Sequence, residues 1–185
     1  MNKHIMMDLE TYGTAPGSVL RSIGAVVFEL EREEVGAEFY RNIDKVSCLN
    51  IGLGVDAATE AWWALQDRAV EAGLLIDPRS IVDVIAEFHT WFVEAGGTHV
   101  WCQGANFDEP LWGAAVRAFG RGMVKVPWKF WNVRDTRTVY ELAGFDPRSV
   151  VRVGAAHNAL DDAKFQALCV QKAVAKLTTG GKDED

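Results

Sequence analysis

Lys3-His-Ile-Met-Met-Asp8-Leu9-Glu10-Thr11 is an apolar run that ends on two acids one residue apart. A run this short reads as a buried strand over residues 3–8. A second strand follows over Ser22 to Leu30, through Ile23, Ala25, Val26, Val27 and Phe28, after the turn-rich segment Gly13-Thr-Ala-Pro-Gly-Ser18. Val35, Ala37, Phe39 and Ile43 predict a third strand over 35–43, preceded by a turn at Glu31 to Glu34. Three successive strands with short links make an antiparallel meander.

The pattern changes after residue 55. Asp56 suits the cap of a helix through Trp62 and Trp63. From Arg79 to Ala95 the residues Ile81, Val84, Ile85, Phe88, Trp91 and Phe92 recur on one helical face, and Gly96-Gly97 ends it. A strand over Thr98 to Cys102 leads to a helix over 109–119 with Pro110 in its first turn, where a missing amide costs nothing. A fifth strand is expected at Val126 to Trp131, and helices at 134–143 and 159–177. This order describes an α/β fold, a mixed five-stranded sheet flanked by helices.

Composition narrows the function classes. With 185 residues, 49% hydrophobic and 24% charged, the chain has the balance of a soluble globular protein. One domain over 1–179 and a solvated tail at 180–185 are expected. Cys48, Cys102 and Cys169 are odd in number, widely spaced and form no Cys-x-x-Cys pair, which fits a reducing, cytoplasmic setting. No apolar run reaches the length of a membrane span, so no membrane partner is expected. A formal charge of −7 argues against a broad electrostatic grip on duplex nucleic acid, but a carboxylate cluster built for cations would itself contribute such charge.

The acids carry the chemistry. Side chains two apart on a strand share a face, so Asp8 and Glu10 project together at the end of the first strand while Leu9 points away. Two unit charges about 4 Å apart repel by on the order of 4 kcal/mol at an effective dielectric of 20, so the pair calls for a cation, a proton or solvent. Asp108 follows a strand and a glycine turn, where ligands gather on α/β sheets, although capping the next helix would also explain it. In His157-Asn-Ala-Leu-Asp161-Asp162, Asn158 suits a helix cap, Asp162 then lies one turn into the helix, and His157 stands in the loop ahead. Four carboxylates and an imidazole are the parts of a two-cation phosphoryl-transfer site. Their oxygen ligands suit Mg²⁺ or Mn²⁺ rather than zinc. An imidazole titrates near neutral pH, as a general base requires.

These segments, in this order, resemble the DEDDh group of 3′ to 5′ exonucleases, the DnaQ-like branch of the ribonuclease H-like fold. Asp8-Leu9-Glu10 is similar to the first motif, Asp108 to the second and His157-x4-Asp162 to the third. The resemblance implies a ribonuclease H-like sheet and two bound divalent cations. It further implies that Asp8 bridges the cations, Glu10 and Asp162 hold one of them, Asp108 acts on the second partly through water, and His157 is the general base. Thr59-x-x-Trp62-Trp63-x-x-Gln66, Trp101-Cys-Gln-Gly-Ala-Asn-Phe-Asp108 and Arg134-Asp-Thr-Arg137 resemble the small phage and mycobacterial exoribonuclease subfamily.

The implied substrates are single-stranded RNA or DNA 3′ ends, RNA slightly favoured, and the product is a nucleoside 5′-monophosphate. A homodimer is also implied. Asn106 stands two residues before Asp108, closer than in the wider family, so the resemblance does not by itself assign it that family's Asn contact. Substrate contacts are expected from Leu9, Thr11, Gln66, Phe107, Arg137 and one of Trp62 and Trp63, since adjacent helical residues diverge by about 100°. On residues alone, an endonuclease on the same fold and a non-catalytic nucleic-acid-binding adaptor stay open.

Overall fold

The structure, a computed structural model, describes residues 3–179. The solvated tail expected at 180–185 lies outside the described residues. Strands β1 (Lys3–Thr11), β2 (Leu20–Glu29) and β3 (Arg32–Asn42) form the antiparallel meander; β4 (Gly97–Cys102) and β5 (Val133–Asp135) join it in parallel, giving the order β3-β2-β1-β4-β5. The helices are α1 (Lys45–Asn50), α2 (Ala57–Trp63), α3 (Arg68–Leu74), α4 (Ile81–Glu94), α5 (Asp108–Gly120), α6 (Thr136–Leu142) and α7 (Ala159–Thr179).

Central β1 is covered on both faces, which is why it reads as an unbroken apolar run. Ile5, Met7 and Leu9 pack with Ile23 and Ala25 of β2 against Phe88 and Phe92 of α4 and Trp112 of α5. Met6, with Val26 and Phe28, packs on Ala163, Ala167 and Val170 of α7 and on Tyr140 of α6. The same two-residue parity sends Asp8 and Glu10 to the α7 side, where the apolar layer gives way to the cleft.

One glycine makes the cleft possible. Gly24 of β2 lies opposite Asp8 in the strand register, and a Cβ there would overlap the backbone of Ala159 and Leu160. The start of α7 therefore rests directly on β2, which carries Asp162 up to β1.

The structure moves two of the expected elements and adds two helices. Residues 126–131 are not the fifth strand: Pro127 offers no donor, Phe130–Asn132 form a 3₁₀ turn, and β5 comes after them, pairing Val133 with Val100. β3 begins at Arg32 because the reversal takes only Leu30 and Glu31. Helices α1 and α3 were not expected; both are short and start on aspartate caps, Asp44 receiving Ser47 N–H and Asp67 receiving Ala69 N–H. The three cysteines are free, as their spacing suggested, and all are buried. Among the described residues no helix is long and apolar enough to cross a membrane.

Candidate active site

Three chain segments meet at the carboxyl ends of β1 and β4. Oxygens of Asp8, Glu10 and Asp162 lie within 4.8 Å of one another, the spacing that can hold a metal ion. Asp108 does not belong to this trio and is not the helix cap either. It is the first residue of α5, where its Oδ1 accepts the Leu9 N–H at 3.1 Å and ties the β4–α5 turn to β1. The turn itself is held by Asp135, whose carboxylate accepts the N–H groups of Gly104 and Ala105 and also caps α6.

The third motif forms as its letters suggest. Asn158 Oδ1 accepts the N–H groups of Leu160 and Asp161, which starts α7. His157 precedes it with φ +62°, in the left-handed region, and its N–H donates to Asp162 Oδ2 at 3.0 Å. That non-helical backbone lets the imidazole turn toward the cleft instead of diverging around a helix from Asp162. Its ring meets the edge of Trp62 at a centroid distance of 5.1 Å.

Electrostatics mark the acids as uncompensated. Burial, then the neighbouring Asp108 and Glu10 carboxylates, raise the Asp8 carboxyl well above its ordinary range, against the amide of Gln166 that donates to its Oδ1 at 2.7 Å. Burial pushes Glu10 up to about 7 even though the Arg21 guanidinium opposes it. Burial raises Asp108 as well, against the Leu9 N–H. Partial relief comes from Arg152, which pairs with Asp162 Oδ1. Groups so shifted in a cleft need a cation or protons. All-oxygen ligands fit a hard divalent ion.

The cleft is a cavity of about 620 Å³ lined by the four acids, His157, Leu9, Phe107 and Arg137, with Thr14, Gln103, Asn106 and Gln166 besides. Through Leu9, Glu10, Thr14 and Phe107 it continues into a second cavity of about 490 Å³ walled by Thr11, Trp62 and Trp63. The two tryptophans separate cleanly. Trp63 is 3% exposed, donates its Nε1–H to Thr11 O at 2.8 Å and lies against the Arg21 guanidinium, whereas Trp62 is 43% exposed. Arg21 is sandwiched between Trp63 and Tyr12 and held by a two-pronged pair with Glu71.

Gln66 lines neither cavity; its amide turns back to Trp62 O. Sequence reasoning missed Thr14, Gln103, Gln166 and the Arg21–Glu71 pair. Gln166 carried one signal, its place four residues after Asp162 on the same helical face. Asn106 reaches the cavity despite its shortened spacing from Asp108.

Against this geometry, the family model described as the 3′-5′ exoribonuclease Rv2179c-like domain matches residues 3–174. The chain belongs to that family. It is a 3′–5′ exonuclease. An exodeoxyribonuclease of Enterobacteria phage T4 is 25% identical over 165 residues, covering 74% of this chain and 70% of that protein. Among solved structures, the zinc-bound E. coli ExoI–ssDNA complex is 14% identical with a TM-score of 0.63, covering all of this chain and 42% of that one. The nuclease domain of 3′hExo, a DEDDh family member bound to rAMP, is 13% identical with a TM-score of 0.52, covering 97% and 93%. These two share the ribonuclease H-like fold expected from the sequence.

Proposed function

We propose that residues 1–179 form one cytoplasmic exonuclease domain that removes nucleoside 5′-monophosphates stepwise from the 3′ ends of single strands, RNA being slightly favoured over DNA. The observation that carries this reading is the convergence of Asp8, Glu10 and Asp162 within 4.8 Å, beside His157, in a groove that ends on an exposed tryptophan. Two divalent cations, Mg²⁺ or Mn²⁺, would supply there the positive charge that lowers the pKa of a water and balances the leaving oxygen. Asp8, Glu10 and Asp162 would hold them, and Asp108 would act through its oxygen turned away from Leu9 N–H.

His157 takes the proton of the attacking water, and its loop position leaves the ring room to approach it. Trp62 offers a face for the terminal base, while Trp63, fixed by Thr11 O and Arg21, backs it. Arg137, outside any ion pair among the described residues, holds a phosphate at the opposite lip. The preference for RNA draws on the family description. The Leu9 amide is already committed to Asp108, so any 2′-hydroxyl contact at this strand has to use other groups.

Matched RNA and DNA oligonucleotides, blocked at either end and compared in Mg²⁺, Mn²⁺ and chelator, test the reading. Stepwise shortening from a free 3′ end, abolished by chelator, is expected. Cleavage of a circular strand or degradation that persists in chelator would overturn it, and binding without turnover would return the chain to the adaptor class.

A further inference from the structure

Residues 110–134 hold Arg117, Arg121, Lys125, Lys129 and Arg134, five of the nineteen Lys and Arg of the chain, and none of its 26 Asp and Glu. In a protein of formal charge −7 this is the longest basic stretch that no acid interrupts. Among the described residues, none of the five lies within ion-pair distance of an acid.

Aromatic surface is interleaved with the charge. Phe130 is 83% exposed and Trp131 58%, their rings meeting edge to face at 4.8 Å. The Lys129 ammonium sits 5.4 Å from the centre of the Trp131 ring. Arg134 donates to Trp131 O, which fixes its guanidinium beside the same residue. Next to them a cavity of about 460 Å³ is lined by Thr98, His99, Pro127, Trp128, Lys129 and Asn132. Large exposed aromatics are costly on a surface that nothing covers, and cations interleaved with them match a chain of phosphates and bases.

Topology joins this patch to the catalytic cleft. Trp131 lies just before β5, the outermost strand on this side of the sheet, and Arg137, which lines the cleft, lies just after it. Six residues at about 3.3 Å each span at most about 20 Å. At about 3.4 Å per stacked nucleotide, some six nucleotides cover that distance.

We infer that the edge from Lys125 to Arg134 is a second nucleic-acid contact, which grips the body of a single strand about six nucleotides from the 3′ end held in the cleft. This inference rests on the exonuclease reading of the cleft only for the direction of the strand. A second copy of the chain is the poorer occupant: a two-fold contact of this face with itself opposes like charges. Residues on the patch take no part in the chemistry, so they set length dependence and leave turnover alone.

The test compares the parent with a Lys125→Glu, Lys129→Glu, Trp131→Ala variant on 5′-labelled strands from a dinucleotide to about 16 nucleotides. In the parent, KM falls roughly ten- to a hundredfold once the strand passes about six nucleotides, the worth of one stacked base and two phosphates. In the variant KM stays flat with length, while kcat and the kcat/KM for the dinucleotide are unchanged. Binding of the long strand in chelator, read by tryptophan fluorescence, weakens by the same factor and depends less on salt. Circular dichroism checks that the exposed substitutions leave the fold intact.

Equal length dependence and equal binding in both proteins would overturn the inference. So would a variant that only changes the sedimenting species from dimer to monomer, which would make this edge a contact between copies. Length-dependent binding by a parent that never cuts would instead refute the nuclease reading of the cleft and leave this contact standing.

Discussion

The carboxylate cleft and the basic edge hold charge of opposite sign in opposite ways. Asp8, Glu10 and Asp108 sit at the end of the sheet, so burial, with repulsion from neighbouring carboxylates added to it, raises all three. Lys125, Lys129 and Arg121 stand in solvent, where like charges cost little because water screens them. Buried charge of this kind persists when something is meant to neutralise it, whereas exposed charge steers. The cleft should therefore be intolerant of change in a way the edge is not.

Asp8→Asn is the most severe way to sharpen that contrast. The substitution keeps shape and removes a desolvated charge, so turnover falls by at least about 10³-fold while the metal-free protein unfolds no lower than the parent at pH 8. Thermal unfolding followed by circular dichroism, set beside the hydrolysis rate, checks both halves. An Asp8→Asn protein that cuts at the parent rate would remove the cleft from the chemistry.

His157→Ala comes next. A general base contributes about two to four powers of ten, and its loss should also flatten the rate–pH profile. The rate–pH profile of the variant decides whether the imidazole moves the proton or only supports Trp62.

The adjacent tryptophans repeat the comparison in miniature. Trp62→Ala removes an exposed face and should raise KM about 5- to 150-fold, from about 1–3 kcal/mol of stacking, with little change in stability. Trp63→Phe leaves Thr11 O without its indole donor and should lower stability by about 1–3 kcal/mol, typical of a lost buried hydrogen bond, read as a fall in melting temperature. A KM that follows Trp63 instead would reverse their roles.

Much of this was legible in the letters, for stated reasons. Parity along β1 gave the shared face of Asp8 and Glu10, and Asn158 gave the start of α7. The meeting of Asp162 with Asp8 was not legible from spacing, because it depends on Gly24 letting a helix rest on a strand backbone 135 residues earlier. Distance in sequence also hid the Arg21–Glu71 pair. The misplaced fifth strand has a different origin: Val126, Trp128 and Trp131 have the letters of a strand, but Pro127 and the 3₁₀ turn leave only Val133–Asp135 to pair with β4. Whether Trp62 or Trp63 faces outward was set by the carbonyl of Thr11, which no periodicity reports.

The last comparison separates the regions by pH. Glu10 is raised from 4.5 to about 7 in the folded protein. Below about pH 4.5 the carboxyl is protonated whether the chain is folded or not, and its full contribution to stability is present. Between there and about pH 7 the unfolded chain ionises while the folded one holds its proton, so stability falls with rising pH, by on the order of 3 kcal/mol at most. Asp8 and Asp108, raised in the same direction, add to the slope. In chelator the melting temperature should thus drop by several degrees from pH 5 to pH 7.5. Mn²⁺ should flatten that drop, because a cation held by the ionised carboxylates replaces the protons they lose. Lys125→Glu, on the exposed edge, should leave the slope as it is. A slope that Mn²⁺ does not alter would mean that the raised acids are not the groups a cation neutralises, and the contrast between the two regions would then be one of burial alone.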